Sequence, residues 1–219
     1  MKVFQNEDCW IISDNLDDDL VLEIKTIIQE NLSTLHECKE GVSTTGKNAK
    51  QYWLRDKNLD LHVKDVSFKK FEKKFTEQIL KRILSAGFID PENKSCDLIP
   101  GCTWTVIGEE NSYHTMHIHG GDFDGITIVL YLEVPDSNIE GHPDNNIFMC
   151  SRVGQRNPCY NYDTPILTMN PEVGKLLIFP CWVPHGTYPQ TKGIRQTFNV
   201  DFQLTPYKNK NFLKISSYN

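Results

Sequence analysis

Apolar residues in the first ninety positions recur at helical spacing, and beyond residue 100 they gather in short β-rich runs. Trp10-Ile11-Ile12 predicts a short opening strand, after which Ser13-Asp14-Asn15 offers side chains suited to capping a helix. From Asp17 to Asn31, Leu20, Leu22, Ile24, Ile27 and Ile28 stand near helical spacing and predict a first helix. A second helix is expected from Ser67 to Ala86, with Phe68, Phe71, Phe75, Ile79, Leu80 and Ile83 as its buried stripe and Gly87 as its stop. Residues 37–63 are polar, with Gly41, Ser43, Thr44, Thr45 and Gly46 clustered, and predict a loop.

After Pro100 the period changes. Strands are predicted at Trp104–Ile107, Ile126–Leu132, Asn146–Cys150, Pro165–Met169, Lys175–Phe179 and Gln196–Phe202, each rich in β-branched or aromatic residues and bounded by Gly, Pro, Asn or Asp. Many short strands at close spacing predict a mainly β (α+β) sandwich or barrel. The two helices have no separate core, so one domain over residues 1–219 is expected. Its parts would be a helical support region with one short strand (1–99), a β core (100–203) and a C-terminal tail (204–219). Residues 151–163, with Arg152, Arg156, Tyr160 and Tyr162, would suit a loop over the mouth of a site or an ordinary surface loop.

Charge narrows the function classes. The net charge of −6 leaves no basic surplus for a nucleic-acid backbone. The lysine-rich face between Lys64 and Lys74 reads as a solvated surface. Seven cysteines are scattered without a CxxC pair, which fits reduced thiols better than a zinc knuckle or a disulfide scaffold. The opening residues lack the apolar run of a signal peptide and no stretch reaches membrane-spanning length, so a soluble cytoplasmic protein is expected.

Three of the seven histidines fall within six residues, His114-Thr-Met-His117-Ile-His119. On an extended strand His117 and His119 face one side together, while His114 faces the other if the strand is straight. Two imidazoles so placed can chelate a divalent metal, and a third ligand from elsewhere would complete a facial set. Downstream, the buried strand Lys175–Phe179 runs into Pro180, Pro184 and His185, and Pro189-Gln-Thr-Lys-Gly193 reads as a turn before Arg195. A hairpin centred near residue 190 would set His185 opposite Arg195. Arg195, Thr197 and Asn199 then share one face, and Gln196, Phe198, Val200 and Phe202 the other. A buried polar face carrying an arginine is costly unless a ligand or partner satisfies it, and a carboxylate gripped by the guanidinium fork would do so. His36, His62, His142 and His114 are expected to be structural or exposed.

Together Trp104, His117-Ile-His119, Gly125 with Tyr131, Gly174-Lys-Leu-Leu-Ile-Phe-Pro180 with His185, and Arg195 resemble the 2-oxoglutarate/iron(II) dioxygenase superfamily. The nearest resemblance is to the bacterial and phage oxygenases related to prolyl hydroxylases, and it covers residues 101–203. It implies a double-stranded β-helix (jelly-roll, cupin-like), Fe(II), 2-oxoglutarate and O₂, and hydroxylation of a C–H bond with release of succinate and CO₂. It implies His117 and His185 as metal ligands and Arg195 as the anchor of the distal carboxylate. Tyr131 becomes a candidate hydroxyl donor to the same group, with Thr197 and Asn199 beside it. The substrate would be a peptide or protein (a prolyl residue first) or a small molecule.

One departure stands out: most of the superfamily has His-x-Asp or His-x-Glu where this chain has His117-Ile-His119. Either His119 is the second ligand, which period-two geometry favours, or Asp122 of the Gly120–Asp124 loop coordinates. Two rival functions remain at this level: a cupin-like three-histidine enzyme that does not use 2-oxoglutarate, and a non-catalytic jelly-roll binding module. Arg195 has no role in the first. Tyr52, Trp53, Arg55, Arg156 and Tyr160 either line a substrate groove or cap the sandwich.

Overall fold

The computed structural model describes residues 1–5, 10–38, 48–56, 58–63, 66–88, 97–119, 125–135, 146–150 and 166–205. Among these residues, eleven strands and two helices follow in the order β1 (Lys2–Gln5), β2 (Trp10–Asn15), α1 (Asp18–Asn31), β3 (His36–Glu37), β4 (Ala49–Arg55) and α2 (Val66–Ser85). Then come β5 (Asp97–Gly108), β6 (Gly125–Glu133), β7 (Ile147–Cys150), β8 (Ile166–Met169), β9 (Lys175–Pro180), β10 (His185–Thr187) and β11 (Arg195–Thr205). Among the described residues they form an eight-stranded sheet, β1-β2-β9-β6-β11-β5-β4-β3, and a three-stranded sheet, β10-β7-β8. This is the jelly-roll arrangement that the resemblance implied, with one sheet much larger than the other.

The large sheet is covered on both faces. One face meets the helices: Val21, Ile24 and Ile28 of α1 and Phe68, Phe71, Phe75, Ile79 and Ile83 of α2 share a core with Ile128, Leu130, Ile178, Phe198 and Phe202. Phe198 stands edge-on to Phe71 and Phe75, with ring centroids 5.7 and 5.5 Å away. The other face packs Val129, Tyr131, Leu177 and Phe179 against Ile147, Met149 and Met169 of the small sheet. Burial on two faces explains why β6 reads as an unbroken apolar run, since each of its residues from Gly125 to Leu132 is buried.

Both helices form close to where their apolar spacing places them, and Gly87 ends the second with φ +76°. Leu22, expected in the first stripe, is 64% exposed. Ser13-Asp14-Asn15 does not cap α1 but completes β2, and Asp17 precedes the helix without a capping side-chain hydrogen bond. Asp14 instead accepts from Arg82 Nε at 2.8 Å, tying β2 to α2.

The larger correction concerns the first ninety-nine residues, which contribute four strands rather than one, at both ends of the large sheet. The segment 37–63 was expected to be loop, yet it carries β4, paired to β5 with Tyr52 opposite Thr105 and Trp53 opposite Trp104. Its polarity has a physical cause: Leu54 and Tyr52 face the helical core, whereas Gln51 and Trp53 face a cavity, so the alternation is masked. No described helix is long and apolar enough to cross a membrane. Asp122, His142, Arg156, Tyr160 and the rest of the 151–163 segment lie outside the described residues.

Candidate metal and co-substrate site

The cavity lies between the two sheets, with a volume of about 230 Å³. Alternate residues of β11 point into it: Arg195, Thr197 and Asn199, as their period required, and one step further Asp201. β6 adds Tyr131, β10 adds His185 and Thr187, and β4 and β5 add Trp53 and Trp104.

His117 and His185 meet as an isolated antiparallel bridge, with both hydrogen bonds formed: His117 N donates to His185 O at 2.9 Å and His185 N to His117 O at 3.0 Å. His119 N then donates to Cys181 O at 2.9 Å. The expected hairpin between His185 and Arg195 does not form, because β10 joins the small sheet through β7 while β11 sits between β5 and β6 in the large one. The connection crosses from sheet to sheet, held by the buried Gln190, whose Nε2 donates to Gly108 O at 3.1 Å and Gly193 O at 2.7 Å. Arg195 still reaches β10, since its Nη2 donates to Thr187 Oγ1 at 3.1 Å. Gly186 allows this closure: a Cβ there would lie 2.6 Å from Phe148 Cζ and 2.9 Å from His114 O.

The three imidazoles converge. Ring centroids are 4.4 Å apart for His117–His185, 5.0 Å for His119–His185 and 5.1 Å for His117–His119. Each ring has its Nδ1 against an acceptor: His117 on Thr115 O at 2.7 Å, His185 on Val183 O at 2.9 Å and His119 on Asp201 Oδ2 at 3.1 Å. A carbonyl or carboxylate oxygen can only accept, so Nδ1 carries the hydrogen in all three and Nε2 presents a lone pair. The Nε2 atoms of His119 and His185 approach to 3.2 Å. Two lone pairs repel at that separation unless a cation lies between them. Imidazole nitrogens about 2.1 Å from a metal and at right angles to each other stand about 3.0 Å apart. The ligand atoms of His117, His119 and His185 all fall within 4.8 Å of one another, so this set fits a divalent metal.

Burial disfavours the charged form of His185 and His117. It drives His185 well below the usual histidine value, with the charges of His119 and His117 adding to the effect, and it lowers His117 as well. His114 falls to about 3, by burial first and the Arg195 charge second. Burial and the Asp201 charge push the Cys102 thiol up to about 11, and burial raises Cys181 further, so neither thiol is a thiolate near neutrality.

A pH dependence follows. Below the unfolded histidine value of about 6.5 the unfolded chain takes up protons that His114, His117 and His185 refuse in the fold. Their contribution is therefore complete above about pH 6.5 and is lost progressively as pH falls toward the folded values. The Tm of the metal-stripped protein should drop by at least about 5 °C between pH 7.5 and 5.5. A flat Tm over that window would show that these groups are not held neutral.

Asp201 is the site residue that the sequence reading missed, although it continues the face of Arg195, Thr197 and Asn199 by one more step. Its Oδ1 accepts from Thr127 Oγ1 at 2.8 Å, directly across the strand pair, which leaves Oδ2 aimed at His119. Trp104 stacks on the same imidazole, 5.3 Å away and 25° from parallel. Thus the ring is fixed in position and tautomer. Asp201→Asn should weaken metal binding by about 10- to 100-fold, since an amide offers no charge to the Nδ1–H. Titration of the apo-protein with Fe(II) checks this, and unchanged affinity would remove Asp201 from the site.

The far end of the cavity suits an anion. Arg195 is buried, and the Tyr131 hydroxyl is buried with no hydrogen-bond partner among the described residues. Burial raises the Tyr131 hydroxyl to about 12, against a partial offset from Arg195, so it keeps its hydrogen and can only gain by donating it. Asn199 Nδ2 donates to Thr197 Oγ1 at 3.0 Å, so those two brace each other. His114, expected on the opposite face, also lines the cavity, because residues 114–119 bend rather than run straight. Trp53 is a wall of the cavity, Tyr52 packs on the helical core, and Arg55 pairs with Glu72. His36 and His62 stack on each other and do not line the cavity.

A jelly roll with three inward imidazoles and a buried arginine is an arrangement that could hold a metal and an anionic ligand together. Residues 102–201 match the family model described as "Putative 2OG-Fe(II) oxygenase". No curated protein matches the chain by sequence. Solved structures share the fold. A Pseudomonas putida prolyl-4-hydroxylase is 15% identical with a TM-score of 0.57, over 88% of this chain and 91% of that one. A 2OG-Fe(II) oxygenase family oxidoreductase from Burkholderia pseudomallei is 11% identical with a TM-score of 0.62, over 88% and 84%. A Trichoplax adhaerens prolyl hydroxylase, solved with a hypoxia inducible factor peptide fragment, is 14% identical with a TM-score of 0.55, over 90% and 84%. The β core thus carries the match to the 2OG-Fe(II) oxygenase family, and that family implies Fe(II), 2-oxoglutarate and O₂.

Proposed function

We propose that the protein hydroxylates a C–H bond of a peptide or protein, with a prolyl residue as the first candidate. One oxygen atom enters the product and the other enters succinate: R–H, 2-oxoglutarate and O₂ give R–OH, succinate and CO₂. The observation that carries this reading is the meeting, in one cavity, of three Nε2 lone pairs with a buried arginine and an orphaned tyrosine hydroxyl. The bound metal and keto acid supply the oxidative chemistry, and the protein positions and encloses them.

Each side chain then has a defined task. His117, His119 and His185 would hold the metal through their Nε2 atoms. Arg195 and Tyr131 would grip the distal carboxylate and so orient the keto acid in the cavity. Thr197 and Asn199 floor the space between. Trp53 and Trp104, packed edge to face at 5.9 Å, form an apolar wall on which a substrate side chain can rest and which keeps water away. A peptide substrate draws support from the prolyl hydroxylases that share the fold; a small amino acid would meet the same wall.

Purified protein with Fe(II), labelled 2-oxoglutarate and a proline-containing peptide library should release succinate in proportion to a 16-dalton gain on peptide. Tyr131→Phe should raise the KM for 2-oxoglutarate about tenfold and leave iron content unchanged. Succinate without any oxidised peptide would point to a small-molecule substrate. No succinate under any condition would refute the assignment.

A further inference from the structure

His114 is the fourth imidazole of the cavity, and its chemistry is not used by a metal centre. Its Nε2 is buried and has no hydrogen-bond partner among the described residues. It also stands outside the group of ligand atoms formed by His117, His119 and His185. A buried ring nitrogen without a partner loses the hydrogen bond that water would supply, so the position needs another occupant.

The main chain of His114 is tied beside the anion-binding end, and its ring lies 5.7 Å from that of His117. His114 N donates to Thr187 Oγ1 at 2.9 Å, and Thr187 N donates to His114 O at 3.0 Å. The same Thr187 oxygen accepts Arg195 Nη2 at 3.1 Å, so a single atom connects the main chain of His114 to the guanidinium. With two hydrogen bonds accepted, the Thr187 hydroxyl oxygen has no lone pair left for a hydrogen on His114 Nε2. The Gly186 backbone between His185 and Thr187 cannot carry a Cβ without striking His114 O at 2.9 Å, which shows how closely these segments are pressed together.

We propose that His114 is a co-substrate-binding residue, donating a hydrogen bond from Nε2 to the distal carboxylate held by Arg195 and Tyr131. This rests on the 2-oxoglutarate reading above. A neutral imidazole can place its hydrogen on Nε2, and a carboxylate has enough lone pairs to accept from a guanidinium, a phenol and an imidazole at once. The clamp then has three donors from three segments: residue 114, β6 and β11.

The test compares two keto acids on the Fe(II)-loaded protein under anaerobic conditions, by calorimetry. 2-Oxoglutarate carries the distal carboxylate; 2-oxopentanoate has a methyl group in its place. H114F should weaken 2-oxoglutarate about tenfold or more while leaving 2-oxopentanoate and iron content unchanged. H114Q, whose amide nitrogen falls near the place of Nε2, should recover most of that loss and guards against a folding defect in H114F. Equal binding of 2-oxoglutarate by H114F and wild type overturns the proposal, as does an equal loss for both acids, which would place His114 at the metal end. Wild-type protein that fails to discriminate between the two acids overturns the 2-oxoglutarate reading itself, and this inference with it.

Discussion

His185→Ala protein should emerge from Fe(II) loading and gel filtration with less than about a tenth of an iron per chain, and turnover should fall at least about 10³-fold. Loss of a group behind a ligand typically costs 10- to 100-fold in metal affinity or activity, and His185 is a ligand candidate itself. Its neighbours make the effect larger than at an exposed histidine. The ring is buried and stands edge-on against Phe179 at 4.8 Å. His117 and His119 would remain as a pair, too few to hold iron(II) against buffer. Metal analysis checks this beside a far-ultraviolet circular dichroism spectrum. Wild-type iron content in a folded variant would show that the metal is held elsewhere.

The second large effect belongs to Arg195. Removing one partner of a buried charge pair costs about 2–5 kcal/mol, or roughly 30- to several thousand-fold in affinity. Arg195→Ala should therefore raise the Kd for 2-oxoglutarate by at least about 10²-fold while iron binding persists. Arg195→Lys should recover little, because an ammonium cannot reproduce the two-pronged contact or keep the Thr187 hydrogen bond in the same geometry. Calorimetry with the iron-loaded variants reads both outcomes. A change of less than threefold would mean that the carboxylate binds somewhere other than beside Tyr131.

Much of this site was legible because strand periodicity survives in β11. Arg195, Thr197 and Asn199 face the cavity, and Phe198, Val200 and Phe202 the helices, as alternation required. The same rule, carried one residue pair further, would have reached Asp201. His117 and His119 come together as expected, but through a single bridge to His185 rather than a regular strand.

What stayed hidden has physical causes. β4 looked like loop because a strand whose inner face lines a cavity does not show the usual apolar alternation. The His185–Arg195 hairpin failed because sequence spacing cannot distinguish a turn within one sheet from a crossing between two. The crossing depends on the buried Gln190 side chain, whose contacts at Ser112 and Gly108 are long-range. His114 faces the cavity because its segment follows β10 rather than a straight course.

A crystal structure of the protein with Mn(II) and 2-oxoglutarate, grown without oxygen, tests the three-histidine centre most directly. The expected result is one metal ion about 2.0–2.3 Å from Nε2 of His117, His119 and His185, the keto-acid end on the opposite face, and the distal carboxylate on Arg195 and Tyr131. A metal bound by His117, His185 and the carboxylate of Asp122, with His119 turned away, would contradict it.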